Sequence, residues 1–216
     1  MHPPTSAPPC VQMAHGAGPA STLDLVQITV RSASEVPWDD VVSVMSTPGD
    51  PRTCWCQYFK VTNAAFESMS TAEKTADLRA QTRSDSTPGL IAYADGEPAG
   101  WVSVEPRINF PRLFRSRVAG SMAQPPDAAS VWSIVCFVVA KPYRRQGVGN
   151  ALLDAAVGHA RASGATSVEA YPVDVAQITG SPGGYLYHGT VSMFRAAGFE
   201  DVADEPALRH VMTLRL

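Results

Sequence analysis

A chain of 216 residues with 45% hydrophobic and 17% charged residues has enough apolar surface for one core and is short for more than one domain. Its formal net charge of −3 supplies no broad positive field, so neither nucleic acid nor a membrane surface is expected as a partner. No stretch approaches the roughly 20 consecutive apolar residues that a membrane-spanning helix needs.

The chain opens on a segment rich in Pro, Ala, Gly and Ser with neither a basic start nor an apolar run, so it does not read as a secretory signal. Residues 1–23 are expected to be a disordered leader, and residues 24–216 the folded domain. Leu23–Val30 alternates apolar and polar residues as a first strand does. Helical spacing comes next in Glu35–Ser46, where Val36, Trp38, Val41, Val42 and Met45 share a face and Pro37 sits near the first turn. Thr47–Lys60 is broken by Pro48, Gly49 and Pro51. Ser70 and Glu73 spell a capping box that opens a helix running to about Gln81.

Leu90–Ala94 and Trp101–Glu105 flank Asp95-Gly96, the signal of a tight hairpin. Pro106–Pro126 is a long irregular connection containing Arg107, Arg112, Arg115 and Arg117. Ala129–Val139 then reads as a central strand buried on both faces. A helix over Gly147–Ala162 carries a buried stripe of Leu152, Leu153, Ala156, Val157 and Ala160, with Gly164 as its C-terminal cap. Val168–Tyr171, Phe199–Val202 and Arg209–Leu216 are strands, and Thr190–Ala197 is a short helix closed by Gly198. The order describes a mixed sheet with helices on its faces.

The most informative segment runs from Val135 to Asn150, where a buried strand leads through a proline turn into glycines that open a helix. Free N–H groups and the helix dipole at such a terminus favour an anion. Gly147 and Gly149 remove side chains where a pyrophosphate must approach the backbone, and Arg144 and Arg145 add charge-assisted bonds. A dinucleotide-binding reading lacks its third glycine, and a Walker-type loop lacks its Gly-Lys-Ser/Thr.

Arg144-Arg145-Gln146-Gly147-Val148-Gly149, with the strand before it and Asn150-Ala-Leu-Leu after it, resembles the cofactor signature of the GNAT acetyltransferase superfamily. Met193-Phe-Arg-Ala-Ala-Gly198-Phe199 is similar to that family's closing helix. The resemblance implies a mixed, mostly antiparallel α/β sheet with helices on both faces. In it the parallel strands Val131–Val139 and Thr166–Tyr171 splay to admit the pantetheine arm of acetyl-CoA. It further implies that Phe137, Val138 and Val139 offer backbone groups to that arm, and that Arg144, Arg145, Gln146, Gly147, Val148, Gly149 and Asn150 hold the pyrophosphate. The expected activity is acetyl transfer to a primary amine, on a small molecule or a protein lysine, by direct attack on the thioester. The alternative is a silent acyl-CoA sensor.

Many relatives protonate the leaving sulfur with a tyrosine five residues before the Phe of Gly-Phe; here that position is Phe194. Tyr187 and His188, just before the same helix, are the substitutes for acid and base, and Glu105 is a base acting through water. Cys136 reads as a buried small hydrophobe, and Cys54-Trp55-Cys56 as packing over the acceptor mouth with Tyr58 and Phe59, without a metal. The cysteine spacing matches no disulfide framework, so a cytoplasmic setting is expected, and a homodimer is compatible with such folds.

Overall fold

The computed structural model describes residues 26–115, 129–180, 183–202 and 208–216. The expected leader, residues 1–23, and Arg117 lie outside them.

The first strand, β1 (Ile28–Ser32), is followed by four helices: α1 (Trp38–Met45), α2 (Pro51–Cys54), α3 (Asn63–Ser68) and α4 (Thr71–Gln81). Helix α1 starts three residues later than the periodicity predicts, because Pro37 is its N-cap. Helices α2 and α3 are additions to the expected irregular stretch: each is only about one turn long, too short to show a 3.6-residue pattern. The capping box of α4 is formed, with the Ser70 hydroxyl accepting from Glu73 N–H at 3.2 Å and the Glu73 carboxylate accepting from Ser70 N–H at 2.7 Å.

Strands β2 (Leu90–Ala94) and β3 (Glu97–Pro106) form the hairpin. Asp95 at φ 51° and Gly96 at φ 88° make the doubly left-handed turn that matches the twist of the flanking strands. Strand β4 (Val131–Val139), helix α5 (Val148–Ala162), strand β5 (Ser167–Ala170), helix α6 (Val191–Ala196), and strands β6 (Glu200–Asp201) and β7 (Met212–Arg215) complete the chain. The sheet order is β1-β2-β3-β4-β5-β7-β6, antiparallel throughout except for the β4–β5 pair.

Both sheet faces are covered. On one, the predicted α5 stripe of Leu152, Leu153, Ala156, Val157 and Ala160 packs with Ala92, Val102 and Ile134 of the sheet. On the other, Val41, Val44 and Met45 of α1 and Leu78 of α4 meet Ile91, Tyr93 and Trp101. Fully burying each such aliphatic or aromatic side chain stabilises the fold by about 1.5–3 kcal/mol before entropy is counted.

Strand β4 departs from a regular ladder in two places. A bulge makes Ser103 face Cys136 while Val104 faces Ile134, leaving Val135 without a partner on β3. The parallel pairing with β5 covers only Val131 to Ile134, opposite Ser167 to Ala170. The root of that pair is pinned by Arg107, fully buried, whose Nη1 donates to Glu169 Oε2 at 2.7 Å. The Tyr171 hydroxyl donates to the same oxygen at 3.2 Å and lies 3.2 Å from the Ser133 hydroxyl. Arg107 is thus a structural cation inside the sheet rather than a loop arginine facing ligand or solvent. Removing the carboxylate leaves that cation buried without its charge partner, so Glu169→Ala should cost about 3–5 kcal/mol in urea unfolding. A loss below about 1 kcal/mol would mean that the β4–β5 root does not depend on the pair.

Candidate functional site

The backbone of β4 beyond Ile134 has one edge on β3 and one edge open. Ala140 N–H donates to Ala99 C=O at 3.0 Å, and the register then puts the N–H and C=O of Val138 into the ladder with Trp101. By the same alternation the backbone groups of Phe137 and Val139 face away from β3, toward the gap that β5 has left. The carbonyl of the bulged Val135 accepts from His188 Nδ1 at 3.0 Å, and that of Val139 accepts from Arg144 Nε at 3.0 Å. Phe137 C=O has only a weak contact from the neighbouring Cys136 thiol at 3.9 Å. Of the three residues expected to offer backbone groups, Phe137 and Val139 are so turned. Val138 spends its own on β3 and lends its side chain to the cleft floor.

The loop after β4 makes one 3-10 turn at Lys141–Tyr143, and Gln146 Nε2 closes it by donating to Pro142 C=O at 2.7 Å. Arg145 at φ 62° and Gly147 at φ 88° then swing the chain into α5. The first bond of the helix ladder runs from Ala151 N–H to Gly147 C=O at 3.0 Å, leaving the N–H groups of Val148, Gly149 and Asn150 directed out of the helix start. Arg144, Arg145, Gln146 and Asn150 are exposed around this opening.

The two glycines differ in kind. Gly147 is required by its left-handed backbone, whereas Gly149 has ordinary helical geometry, and a Cβ there would meet only Met193 Sδ at 3.8 Å. Nothing in the protein demands a glycine at 149, where alanine would favour the helix by up to about 1 kcal/mol. The bare backbone leaves that side of the helix start open to a group approaching from outside. The residues present therefore fit the pyrophosphate of a coenzyme A thioester: a helix start with free N–H groups, a position kept clear of Cβ, and two exposed arginines.

On the face of the sheet opposite α5, an open cleft of about 1160 Å³ adjoins the gap. Its walls include Tyr187 and His188 from the 3-10 segment Gly183–His188, which brings together two of the three residues read as catalytic. Glu105 is not on those walls. It is buried, ion-paired with Lys60, and accepts from Asn109 Nδ2 at 2.8 Å. Phe194 is fully buried in edge contacts with Phe137 at 6.0 Å and Phe199 at 5.0 Å, an apolar setting that offers no proton.

Because a carbonyl is its partner, Nδ1 of His188 carries the hydrogen and Nε2 keeps its lone pair. Burial first, and the Arg209 charge second, lower the His188 pKa to about 3, so the imidazole is neutral at physiological pH. Burial, reinforced by Asp50, raises the Tyr187 pKa, so its hydroxyl keeps its proton. Cys54, Cys56 and Cys136 are free thiols on the cleft walls; burial pushes Cys54 up to about 11, and the Cys136 thiol beside it pushes Cys56 up as well. A resting thiolate nucleophile is disfavoured at Cys54 and Cys56. Among the described residues no group of three or more His, Cys, Asp or Glu side chains is placed to hold a metal ion. Trp55, expected on the cleft wall, instead stacks on Trp38 at 6.1 Å in the core; consecutive left-handed residues at 55 and 56 turn the chain so that Tyr58 and Phe59 take that wall.

Arg209, Asp50 and Tyr171 also line the cleft and were not singled out from the sequence. They come from three distant segments that only the folded sheet assembles, and none sits in a recognisable pattern.

Comparison with known proteins gives a consistent picture. The acetyltransferase (GNAT) family model matches residues 55–178. A GCN5-related N-acetyltransferase from Kribbella flavida is similar in structure, with TM-score 0.52 and 17% identity over 88% of this chain and 98% of that one. So is YncA, a putative acetyltransferase from Salmonella typhimurium solved with acetyl-CoA, with TM-score 0.52 and 14% identity over 88% and 94% of the two chains. The PaiA N-acetyltransferase of Thermoplasma acidophilum, in complex with coenzyme A, gives 0.50 and 14% over 88% and 99%. No curated protein matches the chain by sequence. No helix among the described residues is long and apolar enough to cross a membrane.

The His188 environment bears on stability as well. The unfolded chain takes up a proton near pH 6.5, the folded one only near 3, so protonation favours unfolding between those values. The contribution of this group is complete above about pH 6.5 and is lost as pH falls toward 3. In urea unfolding at about pH 7.5, 5.5 and 4.5, the wild type should lose stability more steeply than His188→Gln. Parallel losses would mean that folded His188 titrates normally.

Proposed function

The chain belongs to the acetyltransferase (GNAT) family, and we propose that it is an acetyl-CoA-dependent N-acetyltransferase acting on a primary amine by direct attack on the thioester. The observation that carries this reading is the continuity of the open β4 edge with the helix start at Gly147–Asn150. The edge suits an extended arm with amide groups, and the helix start suits its pyrophosphate. The solved relatives bound to coenzyme A and acetyl-CoA support the same assignment.

In this reading the backbone of Phe137 and Val139 pairs with the pantetheine amides, and Val148, Gly149 and Asn150 N–H groups with Arg144 and Arg145 receive the phosphates. The bound thioester supplies an activated acetyl carbonyl at the mouth of the cleft. Nε2 of His188, held toward the cleft by the bond from Nδ1 to Val135, accepts a hydrogen bond from the incoming amine and orients it. A base with a pKa of about 3 is a poor final store for a proton, so the amine proton passes onward to cleft water. Tyr187, protonated at neutral pH and within reach of the Arg144 charge, gives its proton to the departing sulfur and regains one from cleft water. Tyr187 thereby does the work that Phe194 cannot do. Glu105 is too firmly held by Lys60 and Asn109 to act as a mobile base. The raised Cys54 and Cys56 are poorly suited to carry an acyl group. Free thiols clustered round one cleft suit a reducing compartment, and we place the protein in the cytoplasm.

Phe194 also sustains a second reading, a domain that binds acyl-CoA without turning it over. Thiol release from acetyl-CoA against a panel of amines separates the two, since only the transferase releases coenzyme A in an amine-dependent way.

Gly149→Glu tests the cradle by placing bulk and negative charge where the phosphates would lie, at a position where the protein itself leaves room for a side chain. Thermal stability should be unchanged or slightly higher, while coenzyme A affinity measured by calorimetry falls at least about tenfold. Full affinity in a stable variant would remove the helix start from the cofactor site. Tyr187→Phe should lower kcat at least about tenfold with coenzyme A affinity preserved, and an unchanged kcat would remove Tyr187 from the reaction.

A further inference from the structure

The chain carries a net charge of −3, yet three guanidinium groups, those of Arg112, Arg115 and Arg209, line the cleft against one carboxylate, Asp50. Two of the three are held in ways that leave cationic N–H groups short of partners. Arg112 is 8% exposed; its Nε donates to Val61 C=O at 3.2 Å and its guanidinium lies 3.9 Å over the Tyr58 ring, but its Nη2 is buried with no hydrogen bond. A buried N–H left in this state is costly, and more so on a charged group. Arg209 is partly buried beside the extension of β5, bridged through its backbone to Val173, and no described carboxylate pairs with it.

The Tyr58 ring carries Arg112 on its face while its phenol lies within electrostatic reach of Arg209. Arg115 follows Arg112 on the cleft lining, its backbone N–H donating to Arg112 C=O at 3.2 Å, and is exposed. Arg209 is in turn close enough to His188 for its charge to be felt there. Asp50 stands apart from them, beside the Tyr187 hydroxyl at Gly49. The cleft walls therefore carry three cations and one carboxylate, with the Arg209 charge felt at His188 and the Asp50 charge at Tyr187.

We infer that the acceptor is an amine that also bears an anionic group, a carboxylate or a phosphate, which seats on Arg209, a partly buried cleft cation with no described carboxylate partner, while the amine lies against His188. Guanidinium groups match both oxyanions bidentately, and a partly desolvated arginine binds them better than an exposed one. A cationic acceptor such as a polyamine would meet three like charges and is selected against. The inference rests on the transferase reading and narrows its acceptor.

The test compares acceptors that differ only in the anion, O-phosphoethanolamine against ethanolamine and β-alanine against its amide, with acetyl-CoA saturating. The anionic member of at least one pair should have kcat/KM at least about tenfold higher, and calorimetry should detect it binding to protein loaded with coenzyme A. Arg209→Ala should raise its KM at least about tenfold, with Arg209→Lys recovering part of the loss and coenzyme A affinity within about twofold as the check on folding. Equal or better use of the neutral members, or no binding of either anionic amine to the loaded protein, would overturn the inference and leave the transferase reading standing. Failure of the wild type to bind acetyl-CoA at all would instead sink that reading.

Discussion

Strand β4 hydrogen-bonds β5 over four residues and then runs on alone, and the backbone groups on that edge need partners other than a strand. Three solutions appear along five residues. The bulged Val135 carbonyl takes a histidine, the Val139 carbonyl takes an arginine, and Phe137 between them is left with almost nothing. An edge served in this intermittent way leaves room for a ligand that supplies amide groups at strand spacing, the role proposed for an extended cofactor arm. The cleft adjoins the same divergence of β4 and β5, so the open edge and the cleft are two views of one gap.

A gap in a sheet is a weakness unless its root is fixed. Here the root is fixed by Arg107, Glu169, Tyr171 and Ser133, all buried, joining β3, β4 and β5 just below the point of divergence. A buried ion pair is seldom a net gain over well-packed apolar residues, because desolvation offsets the attraction. Its directional demands do fix register, however, and register at this point decides which β4 residues turn toward the gap. A slip of one residue would offer Val138 instead of Phe137 and Val139.

The reach of each signal along the chain decides how much of this was legible in the sequence. The proposed anion cradle is written in seven consecutive residues, so Arg144 to Asn150 can be read as a unit. The α5 stripe and the Ser70–Glu73 box are likewise local, and they fold as spelled. Helices α2 and α3 escaped because single turns have no periodicity to detect. The β4 bulge escaped because Val135 differs in no way from its apolar neighbours; the extra residue is visible only against the partner strand. Loop arginines look alike in sequence, yet Arg107 became a core ion and Arg112 an aromatic-stacked wall residue, and only the long-range partners Glu169 and Tyr58 tell them apart. The cleft is assembled from residues 50–64, 111–115, 135–138, 171, 184–188 and 209, a set with no spacing to read.

The electrostatics of that cleft tie its two halves together. His188 is kept neutral mainly by burial and secondarily by the charge of Arg209, so the histidine is a weak acceptor of protons in the empty protein. An anionic group on Arg209 cancels the second of these influences and raises the affinity of His188 for a proton. By linkage, a proton shared with His188 tightens the hold on that anion to the same degree. In the proposed reaction His188 would then gain basicity only when the acceptor is seated. Thioester loss to water gets no such help while the cleft is empty. A histidine that is too weak a base when measured alone is thus suited to a reaction that should wait for its second substrate.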